Sequence, residues 1–400
     1  MLRRAYGQAT VDAMIKAYGQ APVAPRDNVL RGFFGRPAQA PVSHAPVSHA
    51  AQLGARTVRN AHTTMSTTAR ASVLRRAPRD QASAGTGTLR YVSPDGDDAN
   101  DCLSASGAGA GQGPCRTIQG AIDKSASGDA IDVAAGVYPE TLTITASLTI
   151  EGASTDQTIV DAGGSGRVAT VPGPASVVLE GLTLRGGRAP DGGSGGGGLY
   201  VAGGSAVVLA NTDVVSNTAD GSNADRGGGI YVAGASGLTL DESAVTGNTS
   251  TNGGGIFAVD GSAITLTNSE LVSNTTGEAG GLYLGNGSTA SPGDNPPGNA
   301  STQGGGIDLP DDNGSSRVTL VASTVAGNTA TSGGGVYNAG NDAVTLRQTI
   351  LATNGAADGP ECSGAVSSGG YNLGSGNDSF VEQPYDIMLG FWRHTRPQLA

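Results

Sequence analysis

Apolar residues between about positions 130 and 375 come in short runs that alternate with polar residues and recur at a nearly constant interval. Alternation with a period of two is typical of β-strands with one buried face, and these runs end in glycine, proline, serine or aspartate. The clearest marker is a glycine pair followed by an aliphatic and usually an aromatic residue, repeated at steps of 31, 26, 26, 25 and 29 residues. The markers are Gly198-Leu199-Tyr200, Gly229-Ile230-Tyr231, Gly255-Ile256-Phe257, Gly281-Leu282-Tyr283, Gly306-Ile307-Asp308 and Gly335-Val336-Tyr337.

Two further elements complete each period. A strand such as residues 238–240 follows the marker, and after it comes a Ser/Thr-x-aliphatic-x-x-Asn element such as Ser243, Val245 and Asn248. A triplet of short strands cannot bury its apolar side alone, but a second triplet stacked about 4.8 Å above it continues the hydrogen-bond ladder. The pattern therefore predicts an all-β fold, a right-handed parallel β-helix solenoid with three short strands per coil. An amphipathic stretch at residues 117–122 predicts an N-terminal capping helix.

Composition divides the chain into three parts. Residues 1–87 form a basic Ala/Arg/Pro-rich segment with little apolar periodicity, which we expect to be disordered. Residues 88–377 form the predicted β-helix, with the N-terminal cap at about 88–126 and coils at about 130–377. Residues 378–400 form a C-terminal tail of different composition. Residues 1–90 carry a net charge of +10 and the whole chain −11, so the remainder carries −21. An acidic body of this kind argues against a nucleic-acid partner.

The glycine content is unusually high, and the hydropathy of the sequence gives no sign of a transmembrane helix. Glycine makes up 66 of 400 residues, more than twice the usual share of about 7%. We find no run of about 18 apolar residues that would indicate a transmembrane helix, and no apolar signal segment near the start. An extracellular or cell-surface location is nevertheless expected from the fold. The oligomeric state stays open.

Two sets of side chains recur once per coil. Stacked asparagine amides one coil apart predict a structural ladder rather than ligands, because their period matches that of the strands; they are Asn217, Asn248, Asn274, Asn328 and Asn354. Alternation places a second, aromatic set on the outside, interrupted by Asp308. This set could bind sugar rings, or it could only stabilise neighbouring coils; it comprises Tyr200, Tyr231, Phe257, Tyr283 and Tyr337.

The predicted N-terminal cap holds two further candidates. Four carboxylates around a glycine-containing loop could hold calcium, or could form only a solvated acidic turn; they are Asp95, Asp97, Asp98 and Asp101. Cys102 and Cys115 lie 13 residues apart in a Gly/Ser/Ala-rich loop and predict a local disulfide in an oxidising compartment. A metal site at these cysteines is disfavoured, since no histidine or third cysteine lies near them in sequence. We predict that residues 285–303 form a loop projecting from one coil, as a recognition element or a tolerated excursion.

These repeats resemble those of right-handed parallel β-helix proteins of the pectin-lyase-like type, including secreted and surface proteins of bacteria with polymorphic-outer-membrane-protein repeats. Tyr91-Val92-Ser93-Pro94-Asp95-Gly96 resembles the N-terminal capping segment of such proteins, and Glu361-Cys362-Ser363-Gly364 their closing coil. The resemblance covers about residues 88–376. It implies an adhesive, structural or glycan-contacting role, with a polysaccharide or a host or envelope surface as the partner.

Enzymes also use this fold, so a polysaccharide lyase or glycoside hydrolase is the alternative. A lyase needs a carboxylate cluster with a nearby Arg or Lys on one outer face, and a hydrolase needs paired carboxylates. Lysine is absent after Lys124, and the four histidines lie outside the repeats. We recognise no catalytic residue in the pattern, and no cofactor other than the candidate calcium ion. The sequence therefore favours a protein without catalytic activity.

Overall fold

The computed structural model describes residues 87–107, 109–221, 226–291, 298–312, 315–340, 342–375, 380–381 and 386–388. Apart from Gly87, the basic segment predicted to be disordered lies outside these residues. Most of the predicted C-terminal tail lies outside them as well.

Three columns of parallel strands run through the described chain. The first sheet has 12 strands, each of which contributes one rung: Leu89–Val92, Ala130–Val133, Thr149–Gly152, Ser176–Glu180, Ala206–Ala210, Gly237–Asp241, Ala263–Thr267, Thr289–Ser291, Arg317–Val321, Ala343–Arg347, Val366–Ser368 and Phe380–Val381. The third sheet has nine strands: Leu142–Thr143, Ala169–Val171, Leu199–Val201, Ile230–Val232, Ile256–Ala258, Leu282–Leu284, Ile307–Leu309, Val336–Asn338 and Cys362–Gly364.

The second column is formed by two sheets. A six-stranded sheet contains Gly136–Tyr138, Thr158–Asp161, Thr183–Arg185, Asp213–Val215, Ala244–Thr246 and Glu270–Val272. A four-stranded sheet contains Thr324–Ala326, Ile350–Ala352, Leu373–Gly374 and Ile387–Met388. A short two-stranded sheet pairs Thr218–Ala219 with Thr249–Ser250. The chain visits one strand of each column per coil, so the fold is a parallel β-helix with three strands per coil, as the repeat predicted.

The core is a column of aliphatic side chains inside the coils. In the third sheet Leu199 pairs with Ile230, Ile230 with Ile256, and so on down to Val336 and Cys362. All of these side chains are fully buried. Cys362 therefore occupies an aliphatic core position, for which a small apolar side chain is suited.

The glycine triplets shape one corner of each coil for two different reasons. Gly227 has a φ of 62°, a left-handed conformation that costs glycine little. At the following Gly228, a Cβ atom would lie 2.4 Å from the Thr249 carbonyl oxygen of the next coil. One glycine thus turns the chain and the next allows two coils to approach closely.

The described residues at both ends of the predicted loop pair with neighbouring coils, whereas residues 292–297 lie outside the described residues, so a projecting loop stays a prediction. Thr289–Ser291 pairs with Ala263–Thr267 on one side and with Arg317–Val321 on the other. Asn299 is buried between the asparagines of the neighbouring coils. The step from Gly281 to Gly306 is 25 residues, close to the 26 residues of the two preceding steps.

A five-residue helix, Ile118–Ile122, lies where the capping helix was predicted, and its role as a cap stays a prediction. The Thr117 hydroxyl caps it by accepting a hydrogen bond from the Gly120 N–H at 2.9 Å. Ile118, Ala121 and Ile122 are buried against the first strands of the solenoid. The Glu140 carboxylate accepts from the N–H groups of Ile118 and Gln119 at 2.8 and 2.9 Å. Burial raises the pKa of Glu140 despite these two hydrogen bonds.

Candidate functional site

The outward-pointing residues of the third sheet form one continuous row, here named the outer row. Parallel pairing brings these side chains together from coils far apart in sequence. In spatial order the outer row is Thr143, Thr170, Tyr200, Tyr231, Phe257, Tyr283, Asp308, Tyr337 and Ser363. The outer row combines stacked aromatic rings with hydroxyl and carboxyl side chains on one face, so we treat it as the candidate site.

Four aromatic rings at the centre of the outer row stack into a column. The ring centroids of Tyr200 and Tyr231 are 5.5 Å apart, those of Tyr231 and Phe257 5.5 Å, and those of Phe257 and Tyr283 4.2 Å. The planes lie within 12° of parallel. This aromatic column forms a small apolar cluster of its own outside the main core.

Stacking covers most of the ring surface in the aromatic column. Tyr231 is 7% exposed and Phe257 4% exposed, although both are on the outer face of the sheet. Burial raises the pKa of Tyr231 and raises that of Tyr283 to about 12. The column therefore presents ring edges rather than inner ring faces to the surface. Sugar binding by these aromatic residues stays a prediction. Tyr337 is separated from the column by Asp308.

Two arginines flank the aromatic column. The Arg167 guanidinium lies 4.6 Å from the centre of the Tyr200 ring, and that of Arg226 lies 5.5 Å from the Phe257 ring. Arg167 also donates to the Gly195 carbonyl oxygen at 2.9 Å and to that of Ser194. Burial lowers the pKa of Arg167 against the opposing influence of the tyrosines. Guanidinium groups of the chain itself thus lie within cation–π distance of two rings of the aromatic column.

An open groove lies beside the polar end of the outer row. Its wall includes Thr143 and Thr170 of the outer row, and its other lining residues come from neighbouring corners: Thr141, Leu142, Ser165, Gly166, Arg167 and Pro190. Hydroxyl groups and one guanidinium therefore face the same groove. This donor and acceptor set can hydrogen-bond to hydroxylated or anionic ligands.

Asp308 occupies the position between Tyr283 and Tyr337. The residue is 1% exposed, and its Oδ1 has no hydrogen-bond partner among the described residues. Burial, with a smaller contribution from the negative charge of Glu278, raises the pKa of Asp308 to about 7. The sequence showed Asp308 only as a break in the aromatic set. Its burial depends on neighbouring coils and has no local sequence signal.

The asparagines of the repeat form a buried ladder that includes Asn299, which the sequence analysis missed. Asn274 shows the pattern: its Nδ2 donates to Asn299 Oδ1 at 3.2 Å and to the Val245 carbonyl at 2.9 Å. Its Oδ1 accepts from the N–H and the Nδ2 of Asn248, both at 3.0 Å. The ladder runs through Asn217, Asn248, Asn274, Asn299, Asn328 and Asn354. These amides bind one another and the backbone, so the ladder contributes to coil stacking.

The structure gives three of the four aspartates predicted to bind calcium separate hydrogen-bond partners, and calcium binding stays a prediction. Asp98 accepts from the N–H groups of Arg116 and Thr117, both at 2.9 Å, and from the Thr117 hydroxyl. Burial opposes ionisation of Asp98, but these hydrogen bonds and Lys124 lower its pKa overall. Asp97 and Asp101 accept from backbone groups in their own turns. Within the described ranges, no three His, Cys, Asp or Glu side chains are arranged to share a metal ion.

The two cysteines of the N-terminal cap are joined as a disulfide, Cys102–Cys115, and both are buried. The bridge closes a loop beside the first strand, since Cys115 N–H donates to the Tyr91 carbonyl and Cys102 accepts from the Tyr91 N–H. In the part of the chain that the structure describes, no helix has the length and apolar character needed to span a membrane.

Comparison with known proteins gives likenesses in structure and none in sequence. No family model and no curated protein sequence matches this chain. A crystal structure of pectate lyase Pel9A is similar over 75% of this chain and 74% of its own, with 14% identity and a TM-score of 0.47. A pectin methylesterase variant in complex with a hexasaccharide is similar over 59% of this chain and 78% of its own, with 14% identity and a TM-score of 0.33. The strand pairing of this chain, independent of either likeness, makes it a parallel β-helix protein.

Proposed function

We propose that this protein is an extracellular or cell-surface β-helix that contacts polysaccharide through its outer row and the adjoining groove, without catalysing a reaction. The observation that carries the proposal is the continuity of Thr143, Thr170 and the tyrosine edges along one face, with Arg167 at the junction. Successive hydroxyl-bearing side chains lie one coil apart, about 4.8 Å. A regular row of hydroxyl groups suits a ligand that is itself a chain of hydroxylated units.

Charge favours a neutral polysaccharide over an acidic one. The chain from residue 91 onwards carries a net charge of −21, from the difference between −11 for the whole chain and +10 for residues 1–90. Such a body repels polyanions at moderate ionic strength. Arg167, which could offset this, already donates to the backbone of residues 194 and 195.

The proposal is tested by retention of the full chain on neutral and acidic polysaccharides, with and without calcium. We expect retention on a neutral polysaccharide, reduced at least fivefold in the double variant Thr143→Ala/Thr170→Ala. The matched control is Thr239→Ala/Thr265→Ala, which removes two outward threonines from paired strands of the first sheet. Equal loss in both double variants, or no retention of the wild-type chain, would contradict the proposal.

A polysaccharide-active enzyme is the second candidate, and Asp308 is the observation that favours it. A carboxyl with a pKa of about 7 can donate a proton at neutral pH, as a general acid in glycoside cleavage must. The same incubations should be followed for chain cleavage. Cleavage that disappears in Asp308→Asn would replace the binding proposal with this one.

A further inference from the structure

At the strand Ile307–Leu309, the outer row carries Asp308 where the four preceding coils carry an aromatic ring. Tyr283 and Tyr337 lie on either side of Asp308 in the outer row, two coil steps apart, which is about 9.6 Å at the usual strand spacing. The side chain of aspartate is much smaller than the rings that fill the equivalent position in the four preceding coils. A planar group held between the two tyrosines would lie about 4.8 Å from each ring, which is a stacking distance.

The carboxyl group of Asp308 lies at the base of this gap, and one of its oxygens accepts no hydrogen bond from the described residues. Asp308 is 1% exposed, and its Oδ1 has no hydrogen-bond partner among the described residues. A buried carboxyl oxygen without a donor is costly, and the cost is relieved by a ligand that supplies N–H groups. Because Asp308 belongs to the row defined by Tyr283 and Tyr337, its side chain points into the gap.

The acidic side chains around the gap favour a positively charged ligand. Burial raises the pKa of Tyr283, and the negative charges of Asp308, Asp312 and Glu278 raise it further against the smaller, opposing effect of Arg226. An anionic ligand would be repelled here, whereas a cation would be attracted to both the carboxylates and the tyrosine faces.

The same surface already holds guanidinium groups at two positions. Arg167 lies over Tyr200 at 4.6 Å and Arg226 over Phe257 at 5.5 Å. Guanidinium is planar, stacks on aromatic rings and can donate two parallel hydrogen bonds to one carboxylate. An ammonium group shares the charge but cannot fill a gap between two rings as a plane.

We propose that Tyr283, Asp308 and Tyr337 form a binding slot for a guanidinium group, supplied by an arginine side chain of a protein partner. The guanidinium stacks between the tyrosines and donates to the Asp308 carboxylate. Because Asp308 is only 1% exposed, the slot is closed in this structure. Binding therefore requires rotation of Tyr283 or Tyr337, both of which are half-buried. The slot does not rest on the proposed polysaccharide binding, which is tested at Thr143 and Thr170, at the other end of the outer row.

The test measures binding of N-acetyl-arginine amide to the full chain by ligand-observed NMR, with N-acetyl-lysine amide as the comparison. We expect saturable binding of the arginine compound, at least tenfold tighter than that of the lysine compound. Asp308→Asn should weaken it at least tenfold. Asp308→Tyr, which supplies the missing ring, should abolish binding while leaving the thermal unfolding temperature unchanged or higher. Asp241→Asn, an exposed carboxylate on the first sheet, is the matched control and should bind like the wild-type chain.

Equal binding of arginine and lysine compounds, or undiminished binding by Asp308→Asn, would overturn the slot. A short peptide with a central arginine distinguishes the source of the guanidinium. Tighter binding of the peptide than of the free amide supports a protein partner, and equal affinity overturns that part of the proposal. If Asp308→Tyr does not fold, the near-isosteric Asp308→Asn still decides the outcome.

Discussion

The rings of Phe257 and Tyr283 stack with their centroids 4.2 Å apart and their planes 12° from parallel. Tyr231 lies 5.5 Å from Phe257 on the other side, so the Phe257 ring is closer to Tyr283 than to Tyr231. Phe257 lacks a hydroxyl group that would have to reach solvent, and it is 4% exposed. Phe257 is therefore the residue of the aromatic column whose role is most clearly packing.

Phe257→Ala should destabilise the protein by about 3 kcal/mol, because it removes a buried ring and leaves both neighbouring rings without a stacking partner. Urea denaturation followed by circular dichroism would measure the loss. Phe257→Tyr keeps the ring and serves as the matched control, with a change below about 1 kcal/mol. A loss in Phe257→Ala no larger than in that control would show that the column adds little to stability.

Asn274→Ala should cost roughly 2–4 kcal/mol, since it removes both donors and the acceptor of one ladder amide. The Val245 carbonyl and the Asn248 amide are left without their partners in a buried position. The control is Thr265→Ala on the exposed face of the first sheet, expected to change stability by less than about 0.5 kcal/mol. A similar small change in both variants would mean that the ladder amides are replaceable by water or by the backbone.

The repeat in the sequence was sufficient to predict the three strands per coil and five rungs of the asparagine ladder. Both follow from a short local pattern that recurs with the coil. Asn299 was missed because Pro296-Pro297-Gly298 precedes it in place of the Ser/Thr-x-aliphatic element. The interval of 25 residues from Gly281 to Gly306, close to the preceding steps of 26, was the available signal that a ladder asparagine belongs in this part of the chain.

The chemistry of individual carboxyl groups could not be predicted in the same way. The spacing of Asp95, Asp97, Asp98 and Asp101 is compatible with a metal-binding loop. In the structure, Asp98 instead accepts hydrogen bonds from backbone N–H groups 18 and 19 residues away in sequence. Asp308 is ordinary in sequence and unusual only because Tyr283 and Tyr337 of neighbouring coils enclose it. The register in which coils stack decides which side chains contact each other. The sequence around a single residue does not show that register.

Reduction of Cys102–Cys115 should lower stability by about 3 kcal/mol, from the loop-closure entropy of its 13-residue separation. Thermal unfolding with and without dithiothreitol would measure the effect. The double variant Cys102→Ala/Cys115→Ala is the control and should not respond to the reductant. An equal response in both proteins would place the effect elsewhere in the chain.

Stability should fall as the pH rises from about 4 to about 7, and Asp308 should account for much of that fall. Burial, aided by Glu278, raises the pKa of Asp308 to about 7 in the folded protein, whereas the unfolded chain has the ordinary value near 4. Between these values the folded protein binds the extra proton, so its advantage is complete below pH 4 and is lost as the pH rises through 7. The difference corresponds to roughly 4 kcal/mol as an upper bound. Urea denaturation at pH 5 and pH 8 should show a smaller pH dependence of stability in Asp308→Asn than in the wild-type chain. Parallel losses in the two proteins would mean that Asp308 is ionised throughout this range and that its carboxylate has a donor in solution.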